Sequence, residues 1–402
     1  KGFIGRFNYD YKGKYLAEFS FRYDGSLKFH PDRRWGFFPS VSLGWRLSEE
    51  AFMKKFSNLD NLKVRGSYGI LGNDAVGGWQ WLTNYSFGDA YIFNQAPIKS
   101  IVSGGIPNVD LTWEKTATFN FGVDASIYKG LLAVEADVFY KRTYDILGSR
   151  NASMPQTFGA TLPSENYGVV KVKGFELQVK HDNKIGDFRY HVGGNVSWSR
   201  NKVIEKDYAA GAEPWNIPVG KTMGYRACFV ALGLFQSDEE AAAWPRFKGT
   251  QPTAGDVKYA DLNNDGIIDE RDKKVVSPYS NTPEIMFGLN LSASWKGFDF
   301  SALFQGAANR NVMLSGFATQ MFINGASNLP KYLYEDHWTP DNRDARYPKA
   351  WGPDHPSNNK SSTFWLINGN YVRLKNVELG YSISKDLLSR VGVDRLRIYV
   401  GG

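Results

Sequence analysis

The stretch TATFNFGVDASIYKGLLAVEADVFYKR, residues 116–142, decides the fold class. Phe119, Phe121 and Val123 alternate with polar residues, and after a Lys129-Gly130 turn the alternation resumes. Period two predicts β-strands, and the short Gly-containing link predicts an antiparallel hairpin. Each arm spans roughly a dozen residues, about twice the usual strand length in soluble domains. Such long strands, apolar on one face and charged on the other, indicate a wall between lipid and water, although a β-sandwich hairpin shows the same alternation.

The same alternation recurs along the whole chain. It appears at 3–11, 15–23, 37–47, 61–71, 167–181, 188–198, 283–295, 298–305, 366–384 and from 395 onward. With the two arms of the central hairpin, this predicts about twelve strands. Segment 366–384 loses its phase near Asn376-Val377, which we interpret as a bulge. Short helices are predicted at 49–57, capped by Ser48-Glu49-Glu50, at 237–244, with Ser237 and Glu240 as a capping box, and at 328–336.

The links between these strands alternate between short and long. Links after odd-numbered strands are short or contain a small helix, whereas those after even-numbered strands are long, apart from the medium loop 24–35. An up-and-down sheet then has its short turns on one side and its long loops on the other, as in outer-membrane barrels. We therefore predict an all-β fold, an antiparallel up-and-down transmembrane β-barrel, of which residues 1–402 form a part. Residues 202–282 are predicted as one long extracellular loop insertion.

The barrel interpretation predicts which side chains meet lipid. In the central hairpin, the outward-facing residues should be Phe119, Phe121, Val123, Val134 and Val138. A soluble fold would instead bury this face in an enclosed core.

Composition narrows the class of protein further. Aromatic residues make up 15% of the 402 residues, and mean hydropathy is −0.40. No apolar run is long enough for a transmembrane helix. Cys228 is the only cysteine, which excludes an intrachain disulfide. The net charge of +7 is spread along the chain, so no nucleic-acid-binding tract is predicted. The sequence starts at Lys1 and ends at Gly402 within a strand pattern, so we expect a piece of a longer protein.

One motif in the insertion carries metal chemistry. The segment DLNNDGIIDERD, residues 261–272, has the spacing of a calcium-binding loop, with Gly266 at the sixth position. Its oxygen ligands would come from Asp261, Asn263, Asp265, the Ile267 backbone carbonyl, Asp269 and Asp272. A structural Ca²⁺ would brace the insertion, whereas the alternative is an acidic turn without metal. No H-E-x-x-H, G-x-S-x-G or G-x-G-x-x-G motif is present, so no catalytic residues are predicted.

Several blocks of the chain resemble the SusC/RagA family of TonB-dependent outer-membrane transporters. They are GRFNYDYKGKYLAEFSFRYDGS (5–26), RRWGFFPSVSLGWRLSEE (33–50), LKVRGSYGILGN (62–73), PNVDLTWEKTATFNFGVD (107–124), NYGVVKVKGFELQVK (166–180), GDVKYADLNNDGIIDERD (255–272) and NGNYVRLKNVELGYSIS (368–384). The resemblance implies a 22-stranded barrel with an N-terminal plug, a SusD-like lipoprotein as an external lid, and import of glycans, or less often peptides, powered by the TonB complex. It also implies location in the Gram-negative outer membrane, in contact with its lipid.

Relative to that family, the plug, the TonB box, the early strands and the closing strand are missing. We therefore expect an open sheet whose first and last strands are unpaired edges. Two function classes stay open. One is active import through a plugged barrel. The other is a soluble or surface-attached β-rich protein that binds or degrades glycans and carries a calcium loop.

The predicted loop 73–112 is unusually aromatic. Exposed loops rarely carry so much apolar surface without a partner. A sugar could rest its C–H face on these rings, which makes candidate substrate contacts of Trp79, Trp81, Tyr85 and Tyr91. Alternatively, the rings pack against neighbouring loops or the lid protein.

Overall fold

The computed structural model describes residues 1–93, 95–158, 162–322, 329–352, 355, 357–384, 388–389 and 392–402. The chain forms two compact units. The first comprises Lys1–Ala210, Ile285–Gly306 and Val372–Gly402, and the second comprises Gly211–Glu284 and Ala307–Tyr371. No helix in the described ranges has both the length and the apolar character needed to span a membrane.

Strands dominate the secondary structure. In chain order they are β1 (Gly2–Tyr11), β2 (Tyr15–Gly25), β3 (Trp35–Arg46), β4 (Leu59–Asn73), β5 (Tyr85–Phe93), β6 (Ala96–Ser103), β7 (Glu114–Ile127), β8 (Leu132–Gly148), β9 (Glu165–Ile185), β10 (Phe188–Glu205), β11 (Arg226–Phe229), β12 (Ala231–Leu234), β13 (Val257–Tyr259), β14 (Lys273–Ser277), β15 (Ile285–Trp295), β16 (Phe298–Ala308), β17 (Asn311–Met313), β18 (Leu366–Asn368), β19 (Tyr371–Ser382) and β20 (Arg397–Gly401). The α-helices are α1 (Asp238–Ala243) and α2 (Lys331–Glu335).

The first unit is built on one twelve-stranded sheet, which confirms the predicted strand number. Its order is β1-β2-β3-β4-β7-β8-β9-β10-β15-β16-β19-β20, so β1 and β20 are its two edges. From β1 to β15 each strand pairs antiparallel with the next in this order, as β19 does with β20. The sheet therefore follows the chain up and down, with three insertions, β5–β6, β11–β14 and β17–β18, between its strands.

The central hairpin is confirmed residue by residue. Phe121 is opposite Val138 in the β7–β8 ladder, and the connecting turn places Lys129 at φ 57° and Gly130 at φ 81°. Positive φ at successive turn positions matches the right-handed twist of a tight hairpin. Val138 is 53% exposed, and Phe119 and Phe121 are also exposed, while Val123 and Val134 are half-buried. The apolar face is therefore not enclosed in a core between two sheets.

A small core lies at the long-loop end of the sheet, where loop residues pack against strand β3. It consists of Phe29, Phe38, Leu111 and Trp113. The Trp113 indole nitrogen donates to the Arg34 carbonyl at 2.9 Å, so the indole satisfies its polar atom while its ring is buried. This cluster packs residues that are distant in sequence against one another and stabilises that end of the sheet.

The second unit corrects the prediction of a single loop insertion at 202–282. Strand β10 continues to Glu205, and residues 211–284 fold together with 307–371. Three two-stranded sheets, β11–β14, β12–β13 and β17–β18, carry its backbone pairing. One buried cluster contains Phe229, Val257, Tyr259 and Ile268, and another contains Met321, Leu333, Trp351 and Trp365. Two long insertions thus share one folded unit with hydrophobic cores.

Two of the three predicted helices are confirmed. Helix α1 begins after Ser237, whose side chain accepts from the Glu240 N–H at 3.2 Å, and α2 lies inside the predicted 328–336. The helix at 49–57 is wrong. A short 3₁₀ helix, Leu47–Glu49, is followed by turns in which N–H groups bond carbonyls three residues back. Ser48 supplies no cap because it lies inside the 3₁₀ helix, and no side chain caps its start.

Segment 366–384 is two strands rather than one, and the bulge predicted near Asn376-Val377 stays a prediction. The break is at Gly369, where the Asn368 side-chain oxygen accepts from the Asn370 N–H at 2.9 Å. The Gly369 N–H itself turns to the Arg310 carbonyl. Strand β18 then pairs with β17 instead of continuing β19.

Candidate functional site

The polar face of the sheet balances its charges across neighbouring strands. Arg65 on β4 donates to Asp137 on β8 at 2.6 Å and to Asp124 on β7 at 3.1 Å. Lys63 lies 3.9 Å from Asp124. Because one guanidinium serves two carboxylates, this face carries a cross-linked ionic network suited to a wet wall. The opposite face of the same strands exposes aromatic and aliphatic side chains.

The aromatic segment 73–112 is not one irregular loop, which corrects the prediction. Strands β5 and β6 pair as an antiparallel hairpin in which Phe87 is opposite Ile101. Tyr85 is 69% exposed and Phe87 is 82% exposed. The hairpin forms because Tyr85 and Phe87 begin a short alternating run that a complementary run, 96–103, follows. It presents an apolar ribbon to the surroundings.

Two of the predicted substrate contacts lie together. The rings of Trp79 and Trp81 are 6.2 Å apart, and His30 packs edge-on against Trp81 at 5.2 Å. Trp79 is 54% exposed and has φ 67°, a backbone conformation that bulky residues rarely adopt. Backbone strain of this kind persists only where the surrounding contacts impose it, and it clusters at ligand sites. Tyr85 lies on the neighbouring hairpin, and the Tyr91 side chain lies outside the described residues.

Contacts with distant loops hold the Trp79–Trp81 pair in place. Between the two tryptophans, the Gln80 side-chain oxygen accepts from the Ser164 N–H at 3.2 Å. The Gln80 carbonyl accepts from the Asn108 N–H at 2.9 Å. Gln80, which the sequence analysis did not single out, therefore fixes the aromatic pair against two loops.

The candidate calcium loop folds around hydrogen bonds of its own. Asp261 accepts from the N–H groups of Asn264, Asp265 and Gly266, and the Asp265 side chain accepts from the Ile267 N–H. The buried Asp272 carboxylate accepts from the Leu262 and Asp269 N–H groups at 2.7 and 2.8 Å. Asn263 donates to Asp265 at 3.0 Å. Across the ranges that the structure describes, no three His, Cys, Asp or Glu side chains are grouped as a metal site would require.

An arginine supplies positive charge inside this loop. Arg271 lies 2.5 Å from an Asp265 oxygen and 2.7 Å from an Asp269 oxygen. Its hydrogen bond lowers the pKa of Asp269 below the ordinary value. The donor set thus has carboxylates of the kind that Ca²⁺ prefers, but Arg271 engages two of them and backbone N–H groups engage Asp272.

The second unit contains a buried ionic centre that sequence reasoning missed. Asp256 is 1% exposed and lies 3.2 Å from His355 Nε2 and 3.3 Å from Lys349 Nζ. Asn358 donates to Asp256 at 2.9 Å and accepts from the Val257 N–H. Burial by itself raises the pKa of Asp256, but these hydrogen bonds, led by that of His355, outweigh burial and lower the pKa. No local spacing could reveal the centre, because its partners are about a hundred positions apart in the sequence.

Comparison with known proteins agrees with this architecture. The TonB dependent receptor-like β-barrel family matches residues 1–401. TonB-dependent receptor P26 of Formosa agariphila is 30% identical over 413 residues, which cover 100% of this chain and 41% of that protein. TonB-dependent receptor SusC of Bacteroides thetaiotaomicron is 26% identical over 399 residues, covering 94% of this chain and 37% of SusC.

Solved structures show the same fold. The RagAB peptide transporter structure superposes with a TM-score of 0.73 at 23% identity, covering 100% of this chain and 43% of that chain. The chain therefore spans less than half the length of the relatives it matches. The relatives are TonB-dependent receptors and not enzymes. The two-faced antiparallel sheet and the match over residues 1–401 show that this chain belongs to the TonB-dependent receptor-like β-barrel family and is an outer-membrane protein.

Proposed function

We propose that the full-length protein imports an oligosaccharide across the outer membrane with energy from the TonB complex. The observation that carries this proposal is the family match over residues 1–401. The sheet supports it with a polar face whose ionic network, centred on Arg65, suits a water-filled interior. Folded elements at the long-loop side offer surfaces for capturing a substrate before import.

The same proposal includes a SusD-like lipoprotein as the external lid. The SusC relative supports it, and the exposed apolar ribbon formed by Tyr85, Phe87 and Ile101 suits contact with a partner or ligand. The RagAB structures are described as those of a peptide importer, which makes peptide the second candidate substrate. At 23% identity that likeness concerns the fold, so the Trp79–Trp81 pair, in which Trp79 is 54% exposed, weighs more, in favour of sugar.

Uptake by cells separates these substrates. The full-length protein would be expressed in its native outer membrane, with labelled oligosaccharides and labelled peptides offered in parallel. We expect oligosaccharide accumulation that stops when TonB is deleted or the proton gradient is collapsed. Peptide accumulation alone would assign the second substrate, and accumulation unaffected by TonB loss would refute active import.

Trp79 and Trp81 are proposed to contact the sugar directly. Replacing both with Ala should weaken ligand binding while leaving the complex with the lid protein intact, because the rings provide flat stacking surfaces. Changing the exposed Val109 to Ala on the following loop provides a control. Loss of the lid complex with unchanged intrinsic ligand affinity would show that the rings belong to the protein interface.

We also propose a structural calcium ion in loop 261–272. The spacing of its oxygen donors supports this, and Asp261, Asn263 and Asp265 already share one tight turn. Ca²⁺ would have to displace Arg271 from Asp265 and Asp269. The role of the ion would be to brace the second unit, since Asp272 and the neighbouring Ile268 are both buried.

Calcium titration of the full-length protein tests this role. Protease sensitivity of the second unit should fall as Ca²⁺ is added, and Asp265→Ala should abolish that response without disturbing the strands. Arg271→Gln should increase calcium affinity, because it removes the competing cation. If calcium leaves protease sensitivity unchanged in both the parent protein and Arg271→Gln, the loop is only an acidic turn.

A further inference from the structure

A row of cations lies on the outward face of the sheet at its long-loop end. Arg142 on β8 is directly opposite Lys171 on β9, and Lys171 is directly opposite Lys202 on β10. Side chains so paired have Cβ atoms about 4.5–5.5 Å apart, and like charges at that spacing repel each other. We call Arg142, Lys171 and Lys202 the cationic row.

The strand register places this row beyond the apolar band, with Tyr140, Lys173 and Arg200 on the same face between the two. Four pairs nearer the hairpin turn than Arg142–Lys171, Val138 is opposite Phe175, and Phe175 is in turn opposite Trp198. Because alternate residues share a face, the cationic row and these apolar side chains point to the same side of the sheet. The row therefore lies where the lipid-facing surface meets the outer headgroup region, next to an aromatic girdle.

No carboxylate offsets the row within the described part of the chain. The carboxylates farther along these strands are already engaged, Asp145 with Lys115 at 3.1 Å, and Glu165 and Glu205 with Arg150 at 3.2 and 3.9 Å. Arg142 lies over the Tyr144 ring at 5.4 Å, a contact that leaves its charge in place. Arg142 and Lys202 are exposed, and Lys171 is half-buried.

The other end of the same strands lacks this feature. In the described strands β8 to β10, the outward residues at the short-turn end carry no Lys or Arg. They are Leu132, His181, Asn183, Ile185, Phe188 and Tyr190. If these cations only anchored the barrel by placing their charges in water, Lys or Arg would be expected at both membrane interfaces. Their restriction to the long-loop side indicates a negative ligand in the outer leaflet.

We propose that the cationic row binds the phosphates of an anionic lipid headgroup in the outer leaflet of the membrane. Charge complementarity argues for phosphate, since adjacent cations without anionic protein partners need a ligand with several anionic oxygens. The neighbouring apolar band argues for a lipid as the source of that phosphate, because acyl chains would lie against Val138, Phe175 and Trp198. This proposal depends on the membrane location and is independent of the imported substrate.

Lipid retention by the full-length protein tests the proposal. The protein in nanodiscs of phosphatidylcholine would be titrated with lipid A carrying both phosphates, with dephosphorylated lipid A, and with inorganic phosphate. The test variant is Lys171→Gln with Lys202→Gln. Its matched control is Lys141→Gln with Lys180→Gln, which removes two charges from the polar face of β8 and β9.

We expect the test variant to lose roughly thirtyfold in affinity for phosphorylated lipid A, because each cation near an anionic surface contributes about a factor of five. The control variant and the charge-preserving Lys171→Arg with Lys202→Arg should bind like the parent protein. Equal affinity for dephosphorylated lipid A, equal losses in test and control variants, or binding of inorganic phosphate without the lipid would each overturn the proposal.

Discussion

Lysine in place of Val138 tests whether the apolar face meets lipid. Ten residue steps separate Leu132, next to the hairpin turn, from Arg142 in the cationic row. At about 3.3 Å per residue and a tilt of about 40°, this corresponds to about 25 Å, the height of the lipid-facing band of a barrel. Val138 then lies within one or two steps of the midplane, where lysine costs about 2–4 kcal/mol. In water, the same change at a side chain that is 53% exposed would cost no more than about 0.5 kcal/mol.

The control lies on the opposite face of the neighbouring strand. Gln178 on β9 is opposite Glu135 on β8, so Gln178→Lys introduces the same side chain on the polar face, three pairs nearer the hairpin turn than the Val138–Phe175 pair. Guanidinium unfolding of the full-length protein in phospholipid bilayers would measure both variants. We expect Val138→Lys to be less stable than Gln178→Lys by at least about 2 kcal/mol. Indistinguishable stabilities would refute the assignment of this face to lipid.

Three further predictions concern strand β4 and the second unit. Ser237→Ala should destabilise the second unit by about 1 kcal/mol through loss of the α1 cap, measured by local protease sensitivity, with Ser237→Asp as the retained-cap control. Gly72→Ala should cost about 1–3 kcal/mol of stability in thermal unfolding, because a Cβ there would lie 2.0 Å from the Phe38 ring. Gly130→Ala is the control: its Cβ would meet open space, so it should affect stability only through the positive φ of that position. The lowered pKa of Asp256 means that its stabilising effect is complete above the ordinary value of 3.8 and is lost as pH falls through the folded pKa. Asp256→Asn should remove that acid dependence from the unfolding of the second unit, and an unchanged pH profile would contradict the assignment.

The strands were predictable from the sequence because their signal is local. In the central hairpin the alternation continues without a break, and the Lys129-Gly130 turn fixes the register. In the β5–β6 hairpin a register shift between Asp89 and Tyr91 interrupts the alternation, so the segment read as a loop. The break at Gly369 could not be predicted, because only two residues separate β18 from β19 and the two strands together resemble one long strand.

The second unit could not be predicted because its contacts are distant in sequence. Asn358 binds Asp256 across 102 positions, and the Tyr259 hydroxyl donates to the Ser357 carbonyl across 98. Each insertion read alone contains too few apolar residues in a regular pattern to predict a core. The calcium motif, in contrast, could be predicted from the sequence, because all its candidate oxygen donors lie within twelve consecutive positions. What the sequence does not reveal is the side chain that competes for them, Arg271, since its role depends on where the loop folds it.

The register of β8 determines both the membrane band and the cationic row. From Leu132 to Thr143 each residue of β8 has a single partner on β7, so no bulge changes the alternation within the band. A slip of one residue would exchange the faces, moving Glu135 and Asp137 into lipid and Val138 into water. The ion pairs of Asp137 with Arg65 resist such a slip on the polar face, while the exposed apolar residues resist it through the cost of leaving lipid. Arg142 consequently stays at the outer boundary, and the charges of the row are held at the level where headgroup phosphates lie.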